Sequence, residues 1–224
     1  MKLAIFDFNG TIFSKDTLPY LLQQWYDNNY SKTKLIKVFL SLFPLYLNYK
    51  LGISSSMTKE EMERQAVLKF SKIFHGMTKK QINHFFAQAA LSAPTYYYQP
   101  VINEISKLNN DNYDTVLLSG AFKPLLSQIG NNLGIDQVIG SEFKYKKGQF
   151  DNSCNLDLVS GSKKLQKLRD TFDKKEINWQ KSCAYADSYH DLELLMAVGN
   201  PVAVNPDDKL LKAAQKRNWT IINP

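Results

Sequence analysis

Short apolar runs alternating with helix-like stretches constrain the fold of this 224-residue chain more than any other feature. The runs are continuously apolar, as expected for parallel strands covered on both faces. They are KLAIF (2–6), DTVLLS (114–119), SCAYA (182–186), PVAV (201–204) and WTII (219–222). Helical patterns lie between the last four, at 122–133, 162–173, 190–198 and 207–217. This alternation predicts an α/β fold with a doubly wound parallel sheet.

Residues 14–95 interrupt the alternation and have helical patterns instead. Two pairs in this segment match the capping box that opens a helix: Thr58 with Glu61, and Thr78 with Gln81. They predict helices over 58–74 and 78–92. We therefore expect an all-helical cap domain at 14–95, inserted into a core domain formed by 1–13 and 96–224.

The formal charge of +7 is concentrated in the same inserted segment, where 11 Lys and Arg face 5 Asp and Glu. Such an excess favours anionic partners: phosphorylated metabolites, a membrane surface or nucleic acid. The two cysteines, Cys154 and Cys183, lack metal-ligand spacing and are expected to be reduced thiols. No secretion signal is expected either, because a strand-like run follows Lys2 at once. These features predict a cytoplasmic protein.

Two Gly-containing pairs have the composition of hairpin turns. In EFKYKKGQFDN (142–152), Lys147-Gly148 predicts a local hairpin. Asn9-Gly10 has the same composition, but no alternating strand follows it. We therefore interpret FDFNGT (6–11) as a loop that displays Asp7 at the end of the first strand.

Polar residues fall at or near the carboxyl ends of several predicted strands, where ligands bind in an open parallel sheet. They are Asp7, the Ser119-Gly120 pair, Lys163 and Lys164, and Asp187 with Asp191. Each has an ordinary explanation, because Ser-Gly pairs form turns, lysines on helices face solvent and aspartates cap helices. Their order and positions together favour one shared site.

These segments resemble the haloacid dehalogenase (HAD) superfamily of phosphohydrolases, subfamily IB, in the branch that includes phosphoserine phosphatase. The matching segments are DFNGT (7–11), LLSG (117–120), GSKKLQKL (161–168), YADSYHDLELL (185–195) and the tail at 197–222. The resemblance implies a Rossmann-like HAD core with an inserted helical cap of the C1 type. It also implies an enzyme that hydrolyses a small phosphate monoester through an aspartyl-phosphate on Asp7.

The resemblance implies a nucleophile and a metal site. Asp7 would attack phosphorus, and Mg²⁺ would be held by the Asp7 carboxylate, the Asn9 main-chain carbonyl and Asp187. Asp191 and Ser188 would lie behind these ligands.

The phosphoryl oxygens have their own implied partners. The Ser119 hydroxyl, the Gly120 N–H and the Lys164 ammonium would hold and neutralise them, with Phe8 also assigned to phosphate binding. Lys163 is the alternative to Lys164, and the K-L-x-x-L pattern that follows favours Lys164.

Asn9 departs from the family pattern, which has aspartate two residues after the nucleophile. That aspartate protonates the leaving oxygen and later deprotonates the attacking water. An asparagine side chain can do neither, and such assistance is worth about 10²–10⁴-fold. Three explanations are open: an engineered trap, a natural slow phosphatase, phosphotransferase or phosphate-binding pseudoenzyme, or deamidation of Asn9-Gly10.

The substrate end of the site is less defined. Asp16 stands where the family contacts a substrate amino group, and it could equally cap a helix. His190 stands where the branch has asparagine, and an exposed histidine is the favoured interpretation. The stretch 32–50 mixes lysines with large apolar residues, which fits a membrane-bound lipid phosphatase, although packing as a cap helix is favoured. The tyrosines at 96–98 are not interleaved with basic residues, which disfavours nucleic acid.

Overall fold

A parallel sheet forms the centre of the structure, a computed structural model that describes residues 1–51, 57–151, 153 and 156–223. Its strand order is β3-β2-β1-β6-β7-β8. The strands are β1 (Leu3–Phe6), β2 (Asp114–Phe122), β3 (Gln137–Ser141), β6 (Cys183–Ala186), β7 (Asn200–Val204) and β8 (Thr220–Ile222). All neighbouring pairs are parallel. The predicted doubly wound α/β fold is confirmed.

Two elements of the core were not predicted. Strand β3 begins at the exposed Gln137 and has few apolar residues, so its sequence lacks a strand pattern. The helix α5 (Gln99–Asn110) precedes β2 and buries Val101, Ile105 and Leu108. Strand β2 is also longer than predicted, because it continues past Ser119 to Phe122 with a register shift after Leu118.

The remaining core helices lie near their predicted positions. They are α6 (Lys123–Leu133), α7 (Gly161–Thr171), α8 (Leu192–Ala197) and α9 (Asp208–Lys216). The predicted hairpin is formed by β4 (Tyr145–Lys146) and β5 (Gln149–Phe150), which pair antiparallel. Lys147 and Gly148 connect them with φ of 49° and 79°, so this turn prediction is confirmed. The last predicted hairpin residue, 152, lies outside the described residues, as does Cys154.

In the described part of the chain, four α-helices lie between β1 and α5: α1 (Thr17–Asp27), α2 (Lys32–Lys50), α3 (Lys59–Ser71) and α4 (Lys79–Ser92). The segments that lead into and out of this helical insertion lie side by side. The Ser14 N–H donates to the Tyr96 carbonyl, and the Tyr98 N–H donates to the Ile12 carbonyl. We retain the boundaries of a cap at 14–95 as a prediction.

The two predicted capping boxes have different outcomes. At α4 the box is complete, with reciprocal bonds between Thr78 and Gln81. At α3 the Thr58 hydroxyl accepts a bond from the Glu61 N–H, but the Glu61 carboxylate bonds the side chains of Arg64 and Gln65 instead. A guanidinium one turn along the helix is the stronger donor, so it draws Glu61 away from the cap.

Helix α2 packs with only part of its apolar surface. Val38 and Leu45 are buried, which agrees with the favoured interpretation of this stretch as a packed cap helix. Other large apolar residues of α2 stay about half exposed: Ile36, Phe39, Leu40, Phe43 and Tyr46. In the part of the chain that is described, no helix is long and apolar enough to cross a membrane.

An aromatic cluster joins the inserted helices to the sheet. Phe74 lies at its centre, with ring centroids 5.3 Å from Phe85, Phe86 and Phe143 and 6.2 Å from Phe122 at the end of β2. The Phe74 side chain is fully buried. Such pairs add to the free energy that burial alone contributes, so this cluster couples the two parts of the molecule.

We expect Phe74→Ala to lower the free energy of unfolding by about 3–5 kcal/mol, because it opens a cavity among several rings. Urea denaturation measures this value. Leu91→Ala is the control, since Leu91 is 72% exposed on α4, and it should change the free energy by no more than about 0.5 kcal/mol. Similar small losses for both variants would contradict a central role for Phe74.

Candidate active site

The order of the strands brings distant polar residues to one edge of the sheet. Strand β1 lies between β2 and β6, so the chain continues to opposite sides of β1. Asp7 directly follows β1, and its N–H donates to the Tyr185 carbonyl of β6 at 2.9 Å. Asp187 directly follows β6, and Ser119 lies in the irregular end of β2. This is the topological switch point at which open parallel sheets bind ligands.

A buried lysine connects two carboxylates at this edge. The Lys164 ammonium donates to Asp7 Oδ1 at 2.6 Å and to Asp191 Oδ2 at 2.8 Å. All three side chains are less than a tenth exposed. The neighbouring Lys163 is exposed, so the geometry brings Lys164 rather than Lys163 to the predicted site. The helical repeat explains the difference, because adjacent residues of α7 point about 100° apart.

Three carboxylates, those of Asp7, Asp187 and Asp191, lie near the single ammonium of Lys164. Burial acts to lower the pKa of Lys164, but the charges of Asp191 and Asp7 outweigh it and raise that pKa above its ordinary value. Burial, with a further contribution from Asp7, raises the pKa of Asp187 to about 8. Burial also raises the pKa of Asp191 to about 6, against the opposing effect of Lys164. A second cation would relieve this excess of negative charge.

The donor set fits a hard divalent cation. A Cβ on Gly10 would lie 2.2 Å from Asp187 Oδ2, so the Asp187 carboxylate lies directly against the loop that carries the Asn9 carbonyl. Gly10 has φ of 72°, which lets the loop turn there. Asp191 Oδ1 is buried without a hydrogen-bond partner. Carboxylate and carbonyl oxygens are the ligands that Mg²⁺ prefers.

The described residues contain no cluster of three or more His, Cys, Asp or Glu side chains arranged to hold a metal ion. The predicted set has two such side chains, Asp7 and Asp187, and takes its third protein ligand from the Asn9 main chain. A magnesium site of this kind keeps several waters and uses few protein carboxylates. The residues present are therefore compatible with the predicted ion.

Thr17 holds the Asn9 side chain. The Thr17 hydroxyl donates to Asn9 Oδ1, and Thr17 is 3% exposed at the first residue of α1. This bond orients the amide at the mouth of the loop, and a carboxylate at position 9 could accept the same bond. Sequence reasoning missed Thr17, whose position directly after Asp16 at a helix start was the available signal.

The end of β2 is held in place by Ser141 of β3. The Ser141 hydroxyl donates to the Gly120 carbonyl at 2.7 Å and accepts from the Val159 N–H at 3.1 Å. A Cβ on Gly120 would lie 2.9 Å from the Val159 carbonyl oxygen, so the close approach requires glycine. Ser119 is buried, and its hydroxyl accepts from the Ala121 N–H. Sequence reasoning also missed Ser141, because β3 itself was not predicted.

Asp207 braces the loop that follows β6. Its carboxylate accepts bonds from the Ser188 hydroxyl and the Tyr189 N–H, and its own N–H donates to the Asp187 carbonyl at 2.8 Å. Burial acts to raise the pKa of Asp207, but the N–H groups of Leu210 and Tyr189 outweigh it and lower that pKa. The Ser188 hydroxyl is thus bonded to Asp207, and its place behind the metal ligands stays a prediction.

The other predicted residues differ in their access to the site. Asp16 lines the cavity, is exposed and makes no side-chain capping bond, so the capping interpretation loses its main support. His190 is exposed, as favoured from sequence, and lies on the cavity rim. The Phe8 side chain is fully buried and stacked on Phe13, so only the Phe8 main chain remains available to a phosphate.

The polar residues form the floor of a cavity of about 580 Å³. The inserted helices supply an apolar upper wall that includes Leu18, Leu22, Leu42, Met62, Ala66 and Val67. A cavity of this size is typical of small-molecule sites. The inserted helices also contribute the charged residues Lys59, Glu60, Glu63 and Arg64 to its lining.

The family model for haloacid dehalogenase-like hydrolases matches residues 4–196. The chain belongs to this family, as its sequence motifs predicted. Phosphoserine phosphatase SerB1 of Mycobacterium tuberculosis (strain ATCC 25618 / H37Rv) is 31% identical over 97 residues. That match covers 43% of this chain and about a third, 32%, of the relative.

Solved structures have the same fold at low identity. A protein of unknown function from Bordetella pertussis Tohama I has a TM-score of 0.79 at 17% identity, covering 99% of this chain and 98% of that one. A phosphoserine phosphatase in its apo form has a TM-score of 0.66 at 15% identity, covering 100% of this chain and 94% of that one. These likenesses extend over the inserted helices as well as the sheet.

We expect Lys164→Met to lower the free energy of unfolding by about 3–5 kcal/mol, because it leaves Asp7 and Asp191 buried without their cation. Lys163→Met is the matched control, with an expected change below about 0.5 kcal/mol. Urea denaturation at pH 7 without divalent cations measures both. Equal effects would mean that the ammonium of Lys164 does not hold the two carboxylates.

Proposed function

We propose that this protein is a Mg²⁺-dependent phosphatase that hydrolyses a phosphate monoester through an aspartyl-phosphate on Asp7. The observation that carries the proposal is the buried Asp7–Lys164–Asp191 network at the switch point of the sheet. Membership of the hydrolase family supports it, as does the partial match to a phosphoserine phosphatase. We also retain the expectation of a cytoplasmic location.

Asp7 acts as the nucleophile in this proposal. One carboxylate oxygen forms a bond to phosphorus while the bond from phosphorus to the ester oxygen breaks. Lys164 holds the other oxygen, which fixes the direction of the carboxylate. Water then attacks the phosphorus of the aspartyl-phosphate, which releases inorganic phosphate and restores the Asp7 carboxylate.

Several groups neutralise the negative charge of the transferring phosphoryl group in this proposal. The Lys164 ammonium, the Ser119 hydroxyl and the Gly120 N–H neutralise and position the phosphoryl oxygens. Asp7, the Asn9 carbonyl and Asp187 would hold Mg²⁺, which supplies the positive charge that lets two anions approach. Asp191 and the Asp207-braced loop keep Lys164 and Asp187 in position.

Asn9 sets the rate in this proposal. Its amide neither donates a proton to the leaving oxygen nor accepts one from the attacking water, so both protons are exchanged with solvent. Esters with good leaving groups therefore lose least in the first step, while hydrolysis of the aspartyl-phosphate is slowed for every substrate. A pseudoenzyme that binds phosphate esters, or a phosphotransferase, is the alternative that this residue favours.

We expect Asn9→Asp to raise kcat for p-nitrophenyl phosphate with Mg²⁺ by at least about tenfold, because it restores an acid and base at this position. The Thr17 hydroxyl is placed to orient the new carboxylate. Asn132→Asp on the exposed surface of α6 is the charge-matched control and should leave kcat unchanged. Mass spectrometry of the unaltered chain should find phosphate on Asp7. Equal rates before and after Asn9→Asp would rule out the missing-acid explanation.

Mg²⁺ should raise the melting temperature of the protein, since it binds the folded site and not the unfolded chain. At about 100 times its dissociation constant the stabilisation is about 2.7 kcal/mol. Asp187→Asn should abolish this increase, because it removes a charged ligand. Asp208→Asn, at an exposed position on α9, should preserve it. Differential scanning calorimetry decides, and an unchanged Mg²⁺ response in Asp187→Asn would place the ion elsewhere.

A further inference from the structure

The cavity above the phosphoryl-transfer residues is enclosed by three inserted helices that contribute apolar side chains. Leu22 of α1, Leu42 of α2 and both Met62 and Val67 of α3 line it, and all four are partly buried. They line the same cavity as Lys164, together with the charged residues Lys59, Glu60, Glu63 and Arg64 of α3. A group esterified to a phosphate on the floor of the cavity would therefore extend along hydrocarbon rather than water.

Two cations of α3, Arg64 and Lys59, line the same cavity, and each lies beside a carboxylate. Arg64 makes two bonds to the Glu61 carboxylate, at 2.7 and 2.8 Å. The Lys59 ammonium lies 3.8 Å from Glu63. The carboxylate of an amino-acid ester needs a cation of its own, because burying an unpaired charge is costly. Arg64 and Lys59 both have a carboxylate neighbour already, so the upper cavity is poorly matched to the carboxylate of such a substrate.

Two aromatic rings at the cavity mouth remain half exposed. Phe39 and Phe43 lie one turn apart on α2, with ring centroids 6.0 Å apart, and both line the cavity. Their exposed fractions are 55% and 49%. Stacked exposed rings that continue an apolar cavity wall are typical of a ligand-binding surface.

We propose that the substrate is a phosphate monoester with an extended apolar chain, which the inserted helices bind between the α1–α3 wall and the Phe39–Phe43 pair. This inference rests on the proposed function, since it names the substrate class of the same site. The phosphate binds the polar floor and the chain displaces water from the upper wall. Selectivity then comes from chain length rather than from a charged headgroup.

Binding of alkylphosphonates tests the inference without turnover, because their carbon–phosphorus bond resists hydrolysis. Each methylene buried against the wall should tighten binding by up to about fourfold. Calorimetry with Mg²⁺ should therefore give an octylphosphonate dissociation constant at least about tenfold below that of ethylphosphonate. Concentrations stay below the critical micelle concentration. Equal affinities for the two ligands would overturn the proposal.

A matched pair of variants locates the chain. Phe39→Ser with Phe43→Ser should reduce the octyl-to-ethyl affinity ratio to below about threefold. Ile36→Ser with Leu40→Ser is the control on the same helix, since these residues are comparably exposed but do not line the cavity. The control should keep the ratio within about twofold of the starting protein. All four side chains are exposed, so neither variant should impair folding. An equal loss of selectivity in both variants would contradict the assigned position.

Two sources could supply such a substrate, a dissolved alkyl phosphate or a lipid phosphate in a membrane. Hydrolysis in the Asn9→Asp background is compared for monomeric octyl phosphate and for phosphatidic acid in phosphatidylcholine vesicles. Cleavage of the monomer alone indicates the dissolved source. Cleavage in vesicles that Ile36→Ser with Leu40→Ser reduces indicates the lipid source, because those residues then contact the bilayer.

Failure of this inference and failure of the proposed function give different results. Acetyl phosphate carries no extended chain, so its hydrolysis reports the phosphatase chemistry alone. Turnover of acetyl phosphate without chain-length selectivity would overturn only the substrate class. Chain-dependent phosphonate binding with no turnover of any ester, even in Asn9→Asp, would overturn the phosphatase and leave a binding protein for apolar phosphates.

Discussion

The buried ion pairs of Lys164 are the interaction on which the rest of the site depends. One ammonium, less than a tenth exposed, holds Asp7, directly after β1, and Asp191, in the segment after β6. A charge in this position is tolerated only with its partners in place, so the pairs tie α7 to two separate strand ends. The Lys164–Asp7 bond also fixes the position of the Asp7 carboxylate at the cavity.

The sheet and the inserted helices make different contributions to this site. The sheet positions its polar residues, and the helices supply most of its apolar ones. Strand order alone brings Asp7, Asp187 and Ser119 together, because β1 lies between β2 and β6. The helices supply apolar residues of the cavity wall, and they are tied to β2 through the Phe74 cluster. Under the proposed function, the apolar residues above the polar floor favour phosphate esters with hydrocarbon groups over zwitterionic ones.

Prediction from sequence succeeded where a pattern is local and failed where it depends on neighbours. The continuous apolar strands and the Lys147-Gly148 turn are confirmed, and the motifs predicted the family. Strand β3 was missed because its pairing with β2, not its composition, makes it a strand. Thr17 and Asp207 were missed for a similar reason, because their hydrogen bonds join residues that are not neighbours in the sequence. Thr17 bonds the Asn9 side chain, and Asp207 bonds the Tyr189 N–H.

The sequence by itself determined which functional groups the candidate site contains: an aspartate after a buried strand, a lysine at a helix start, and an amide at position 9. These follow from residue type, since an amide cannot transfer the proton that a carboxylate can. Only the tertiary structure showed that Lys164, and not Lys163, is buried against Asp7 and Asp191, and only it revealed the apolar residues that line the cavity. Burial and side-chain direction depend on which elements pack together, and residues far apart in the chain make those contacts.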